Sequence, residues 1–470
     1  MSERQLPIME PYRIKVVEPL ASTTPAERRA ALERAGYNLF NVRSDEVIID
    51  LFTDSGTSAM SVDQWSALMR GDESYAGAKS WFRFVGAVRD LTGFDRVIPV
   101  HQGRAAEHVL FAAMLEPGQL TLSNTHFDTT RANVELSGGE ARDIPCAEAA
   151  DLQSSAPFKG NIDIHALERI LASADGGRVA AVIMTMTNNA GGGQPVSMAN
   201  VRATRELCDR YGTPLLIDAA RFAENAWLVT QREPAWKHAT PRDVARAAFD
   251  LADGCMASLK KDGIANIGGL IALRDGELAS RCKELLIAYE GFPTYGGLAG
   301  RDLEVLAQGL EEVTDPGYLE ARASATAYLA GLANDAGVPT VQPPGCHAVY
   351  VDAGALLPHI PASQFPAHAL SCELYLEGGI RSVELGSLVF GSAGANGEPD
   401  TLAPFELLRL ALPRRVYTAS HLAYVGGVLR NVAKRAGQIP GYRIVEAPTR
   451  LRHFSARLEP ITGDRRPGRH

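Results

Sequence analysis

Apolar and polar residues alternate in two rhythms along this chain. Short apolar runs of strand length (RVIPV, QLTL, VAAVIM and PLLID) are separated by longer segments such as RAAEHVLFAAMLEPG and ANVRATRELCDRYG, whose apolar positions recur every three or four residues. That alternation predicts strands joined by crossover helices in a mainly parallel sheet, the α/β class. TPAERRAALERAGYN reads as a helix with Thr24 as cap, Pro25 in the first turn and Gly36 beyond the last. Val47–Phe52 reads as a strand. Gly118 and Gly212 stand just past helical patterns, where left-handed C-terminal caps are predicted. After about Asp315 a long Ala-rich helical pattern precedes shorter strands, HAVYVDA and ELLRLALP, which suggests a smaller α+β unit.

The chain's 470 residues favour two associated domains. The expected division is an N-terminal arm and part of the small domain over 1–60, a large domain over 61–320, a small C-terminal domain over 321–460 and a frayed polar tail over 461–470. Composition narrows the function classes. Apolar residues are 46% and charged residues 22%, ordinary globular values, and 55 acidic against 47 basic side chains leave a net charge of −8, which disfavours nucleic-acid binding. The longest apolar runs fall far short of the roughly 20 residues of a membrane span, and the first residues lack the apolar core of a secretory signal. A cytoplasmic protein is expected. The six cysteines show no C-x-x-C pair and are read as reduced, mostly buried thiols.

Three strand ends carry candidate chemistry. RVIPV runs into His101, Gln102, Gly103 and Arg104 and then a helix, a junction that suits an anion. PLLID ends on Asp218, with Arg221 three residues later, and the carboxylate there could pair with a ring nitrogen. ADGCMASLKKDG sets Lys260 and Lys261 after Ser258 among apolar neighbours, the setting that depresses a lysine toward nucleophilic chemistry. Singly these read as a tight turn, a capping Asp and a solvated lysine pair. In this order they meet three demands of pyridoxal phosphate: phosphate, pyridine nitrogen and aldehyde.

With those residues in place, the sequence resembles the β-eliminating lyases of the fold-type I pyridoxal-phosphate enzymes, a family of tryptophan indole-lyases and tyrosine phenol-lyases. The blocks that carry the resemblance span nearly the whole chain and include AGYNLFNVRSDEVIIDLFTDSGTSAMS, HQGRAAEHVL, FDTTRANVE, DAARFAENA, SLKKDG, EGFPTYGGLAGRD, LPRRVYT and LRHFSARL. The resemblance implies that Lys261 carries the cofactor and that Gln102, Gly103, Arg104 and Ser258 bind its phosphate. It implies that Phe127 stacks on the ring, Asp218 meets the pyridine nitrogen, and Asn189 and Arg221 meet the phenolate oxygen. Arg414 is the implied clamp for the substrate carboxylate, with Arg415 second, while Phe40 and Thr53 fall at substrate-pocket positions. Tyr75 matches a tyrosine supplied across a subunit interface, and Gly56, Glu73 and Asn266 match a site for a monovalent cation, usually potassium. The family forms homotetramers built from catalytic dimers.

Three further positions separate its two branches. Asp128 and His453 match the tryptophan branch, where the phenol-lyases have Thr and Phe, and Leu385 replaces an arginine that engages the phenol ring. Conversion of tryptophan and water to indole, pyruvate and ammonium is therefore expected. The alternatives are a β-lyase for tyrosine or an S-substituted cysteine, and a non-catalytic binding protein on the same fold.

Overall fold

The computed structural model describes residues 9–392, 401–448 and 451–461. Within them the strand runs assemble a seven-stranded sheet in the order Arg96–Val100, Gly269–Leu273, Gly254–Ser258, Leu215–Asp218, Val179–Thr185, Leu120–Ser123 and Glu140–Asp143. Only Gly269–Leu273 runs against the others. Its neighbours are buried on both faces, and helices cover them, as a parallel sheet requires. Asp218 and Ser258 end adjacent strands at their carboxyl edge, where open α/β sheets hold ligands.

Local chemistry explains most of the helix ends. Helix Pro25–Arg34 begins with a reciprocal cap, in which Thr24 Oγ1 accepts from the Glu27 amide at 3.3 Å and the Glu27 carboxylate accepts from the Thr24 amide at 2.7 Å. Gly212 takes the left-handed conformation (φ +65°) that closes Met198–Tyr211. Gly118 does not cap: its helix, Gly103–Met114, ends at Leu115, and Gly118 (φ +85°) serves the turn into the next strand. The strand expected over Val47–Phe52 shrinks to Ile49–Asp50, paired with Ile380–Arg381, because the flanking residues turn instead to bond with Gly379 and Arg381.

A second apolar core lies outside this sheet. Leu32, Ile49 and Leu51 from the beginning of the chain pack with Leu329, Leu370, Tyr375, Leu408 and Val425 from its last third. A three-stranded antiparallel sheet of Val383–Leu385, Leu407–Ala411 and Ala348–Asp352 runs through that region. The polar tail falls largely on residues 462–470, outside the described residues. Among the described residues no helix is long and apolar enough to cross a membrane, and the six cysteines are free thiols.

Candidate active site

A cleft opens at the carboxyl edge of the large sheet, and the three predicted strand ends converge on it. Gln102, Gly103, Arg104, Phe127, Asn189, Asp218, Arg221, Ser258 and Lys261 all line it. The helix starting at Gly103 has no side-chain cap, so its first amides and its positive dipole end face the cleft. A Cβ on Gly103 would stand 2.5 Å from the Ser258 Cβ, so only glycine lets these two elements close the cup. Phe127 immediately precedes helix Asp128–Leu136 and brings its ring to the cleft.

Charge in the cleft follows from burial. Burial, then the Arg221 guanidinium, pull the Lys261 ammonium down to about 8, where the free amine becomes accessible near neutral pH. Burial pushes the Asp218 carboxyl up, while Lys261, the Ala220 amide and Arg221 oppose the shift. Glu107, which no sequence pattern singled out, also lines the cleft; burial raises it to about 7, and it accepts from Thr130 Oγ1 at 2.6 Å.

Asp54 is a second residue the sequence did not disclose. It is fully buried and grips Arg221 through two bonds, Nε at 2.9 Å and Nη2 at 2.7 Å, which fixes that guanidinium at the cleft wall. Burial alone would raise the Asp54 carboxyl, but Arg221 and Arg414 hold it well below the usual carboxylate range.

Arg414 requires a correction. It is 0% exposed, does not line the cleft, and gives its terminal nitrogens to Asp54 (3.1 Å), Glu224 (3.1 Å) and Asp262 (2.9 Å). Three carboxylates occupy its terminal nitrogens and hold it out of the cleft, although its buried Nε has no partner. Arg415 is likewise committed, to Glu312 at 3.1 Å. Arg409 does not line the cleft either, but it bonds Asn189, which does. Its Nη1 donates to Asn189 Oδ1 at 2.9 Å and its Nη2 to the Phe52 carbonyl at 3.1 Å, while its buried Nε has no partner. Asn189 Oδ1 also accepts from Tyr350 Oη at 2.7 Å, and its buried Nδ2 is left unpartnered.

The remaining expectations divide. Asp128 and His453 meet, Oδ2 to Nε2 at 3.5 Å, although 325 residues of sequence separate them. His453 and Phe40 line an adjoining cavity, their rings 5.8 Å apart. Leu385 is buried in an apolar cluster with Val341, Tyr350 and Leu407. Thr53 does not line the cleft but braces its rim, accepting from the Ser55 amide at 3.1 Å. Tyr75 is 70% exposed, stacked near Phe292 and Tyr295, and does not reach the cleft. Asn266 Nδ2 donates to the Gly56 carbonyl at 2.9 Å, but Glu73 stands apart from both, paired with Arg301 at 2.6 Å. Among the described residues no three His, Cys, Asp or Glu side chains are grouped to hold a metal ion.

The donor set fits pyridoxal phosphate: an uncapped helix start, a buried carboxylate, a buried amine and the orphaned Asn189 amide occupy one cleft. Comparison with known proteins agrees. The chain is 54% identical to a tryptophanase of Hyphomonas neptunium, covering 96% of this chain and 99% of that protein, and 52% identical to a tryptophanase of Salinibacter ruber, covering 96% of each. It is 47% identical to a tyrosine phenol-lyase of Intrasporangium calvum, over 97% of this chain and 96% of that one. Among solved structures it resembles a putative kynurenine aminotransferase from Saccharomyces cerevisiae (TM-score 0.59, 15% identity, 91% of this chain and 100% of that one). It likewise resembles an aspartate aminotransferase from Thermotoga maritima (TM-score 0.58, 13% identity, 87% and 95%). These distant likenesses establish the fold, that of the fold-type I pyridoxal-phosphate enzymes. Residues 50–427 match the Beta-eliminating lyase family, and the chain belongs to it.

Proposed function

We propose that this β-eliminating lyase acts on L-tryptophan, converting it with water to indole, pyruvate and ammonium. The observation that carries the choice is the Asp128–His453 pair beside Phe40, with an apolar, buried leucine at position 385. A carboxylate and an imidazole can hold the N–H of an indole, and Leu385 itself offers a phenol hydroxyl no charged partner. The tryptophanase names of two relatives above 50% identity support the same reading.

Pyridoxal phosphate, when bound, supplies an electron sink for the negative charge developed at the substrate Cα. Gln102, Gly103, Arg104 and Ser258 would hold its phosphate, Phe127 its ring face, Asp218 its pyridine N–H, and Asn189 with Arg221 its phenolate oxygen. Lys261 would carry it and, once its amine is free, remove the Cα proton; the depressed ammonium suits that task. Arg409 would take the α-carboxylate, its neighbour Asn189 being already in the cleft. Asp128 and His453 would orient the indole while a proton is delivered to its C3, and Tyr75 of a second subunit would supply that proton. Its exposure leaves it accessible to such an interface.

The proposal extends to the assembly. A homotetramer of catalytic dimers brings Tyr75 to a neighbouring cleft. A monovalent cation, potassium, would sit among the Gly56 carbonyl, Asn266 and Glu73, with Glu73 leaving Arg301. The two apolar cores are proposed as the large domain, 61–320, and the small domain of 321–460 with the first 60 residues. Six free thiols suit the cytoplasm. The test is incubation of purified holoenzyme with tryptophan and potassium: indole and pyruvate in equal amounts support the proposal, and faster pyruvate release from tyrosine contradicts it.

A further inference from the structure

The cavity that holds Phe40 and His453 has a wall with no part in the steps above. Strand Val383–Leu385 runs through Gly386 into the short helix Ser387–Phe390, and Leu388 and Val389 face the cavity together with Glu384. Glu384 is buried and accepts from the Leu388 amide through Oε1 at 2.8 Å. Glu406, also buried, comes from just before strand Leu407–Ala411 and accepts from the Ser387 amide through Oε1 at 2.9 Å. Two carboxyl groups thus grip consecutive amides of one turn. The Oε2 of each is buried with no hydrogen-bond partner among the described residues. The turn is so tight that a Cβ on Gly386 would meet Glu406 Oε2 at 2.4 Å and Glu384 Oε1 at 2.9 Å.

Among the described residues no cationic side chain is paired with Glu384 or Glu406. Arg452 reaches the same turn, yet it donates to the carbonyls of Ser387 (2.6 Å) and Leu388 (3.1 Å). Arg409, on the strand that follows Glu406, donates to Asn189 and Phe52 and not to this pair, and Asp352 uses Oδ1 to accept from the Ala355 amide. His368 and His453 share the cavity with Glu384 without a bond to it. Burial, then Glu406, push the Glu384 carboxyl up to about 8, and burial pushes Glu406 to about 6.

We propose that Glu384 and Glu406 are specificity-positioning residues. While the pair holds a proton it pins the 386–388 turn and the apolar wall of the ring cavity, and loss of that proton loosens the wall against a large aromatic leaving group. The sign follows from linkage. The folded Glu384 carboxyl lies above its ordinary value, so its contribution is complete at low pH and is lost as pH rises through about 8. This inference rests on the aromatic-substrate reading, and its test separates the two. In the holoenzyme, the ratio of kcat/KM for tryptophan to kcat/KM for S-methylcysteine should fall by up to about tenfold over the pH unit above about 8. Titration of Lys261 affects both substrates and cancels in that ratio. Glu384→Gln and Glu406→Gln keep an acceptor oxygen for the turn and remove one charge, so each should hold the ratio flat. A flat ratio in the unaltered enzyme, or the same fall in both variants, overturns the proposal. Absence of tryptophan turnover at every pH removes the substrate reading instead. Thermal midpoints then decide: the midpoint should drop more between about pH 7 and pH 9 in the unaltered protein than in either variant, and equal drops overturn the proposal.

Discussion

Replacing Arg409 and Arg414, in turn, by methionine separates two roles that the sequence alone would merge. Methionine is about as long as the arginine stem and carries neither charge nor donor. At Arg409 it removes the bonds to Asn189 and Phe52, and with them the fork available to a substrate carboxylate. Two charge-assisted bonds to a carboxylate at about 1.5–3 kcal/mol each amount to about 3–6 kcal/mol, or roughly 10²- to 10⁴-fold in kcat/KM. Burial already lowers the affinity of Arg409 for its proton, so losing that charge should cost the fold less than losing that of Arg414. At Arg414 the balance reverses, because Glu224, Asp54 and Asp262 more than offset the cost of its burial and hold the proton more tightly. Methionine there leaves three buried carboxylates short of a partner, at about 3–5 kcal/mol, which lowers the thermal midpoint of a 470-residue chain by roughly 3–5 °C. The assay pairs kcat/KM for tryptophan with thermal unfolding of each holoenzyme. Arg409→Met should be slow and stable, and Arg414→Met unstable. The reasoning is refuted if Arg409→Met keeps kcat/KM within about threefold of the parent, or if Arg414→Met melts with the parent.

Three further outcomes follow from the cleft. The rate at which the cofactor-free protein takes up pyridoxal phosphate should rise with a midpoint near pH 8, as the Lys261 ammonium loses its proton, and level off above it; stopped-flow absorbance showing a midpoint near 10.5 would place that amine in water instead. Gly103→Ala drives a methyl group into Ser258, and overpacking at about 1–3 kcal/mol should weaken cofactor affinity by roughly 5- to 150-fold in an equilibrium titration, with no change signifying that the cup is elsewhere. Asp128→Thr combined with His453→Phe should lower tryptophan turnover by about 100-fold while S-methylcysteine turnover changes by less than about fivefold. Equal losses on both substrates would contradict an indole-specific role.

How far the sequence discloses this site depends on the range of the interactions. Asp218, Ser258 and Lys261 could be found because each follows an apolar strand directly, and strand ends fall at one edge of the sheet. Gly103 was legible for the same reason. Arg409 was not, since LLRLALP reads as a continuous apolar strand and all five residues of Leu407–Ala411 are buried, so periodicity gives no hint of which face bears a charge. The web of Asp54, Glu224, Asp262, Arg322 and Arg414 was equally hidden, because its members are brought together from positions up to 360 residues apart. Asp54, Glu224 and Arg322 carry no local signal at all, and Arg414 was legible only as an arginine, not as the centre of this web. Asp128 and His453 show the opposite case: no spacing joins them, and the family resemblance alone named both before the fold set them 3.5 Å apart.

The account stands on a covalent bond between Lys261 and the aldehyde of pyridoxal phosphate. Borohydride reduction of the holoenzyme, digestion and mass spectrometry test it directly. The predicted result is a phosphopyridoxyl group on the peptide containing Lys261 and none on Lys260. An unmodified Lys261 in protein saturated with cofactor, or the group found on Lys260 instead, would contradict it.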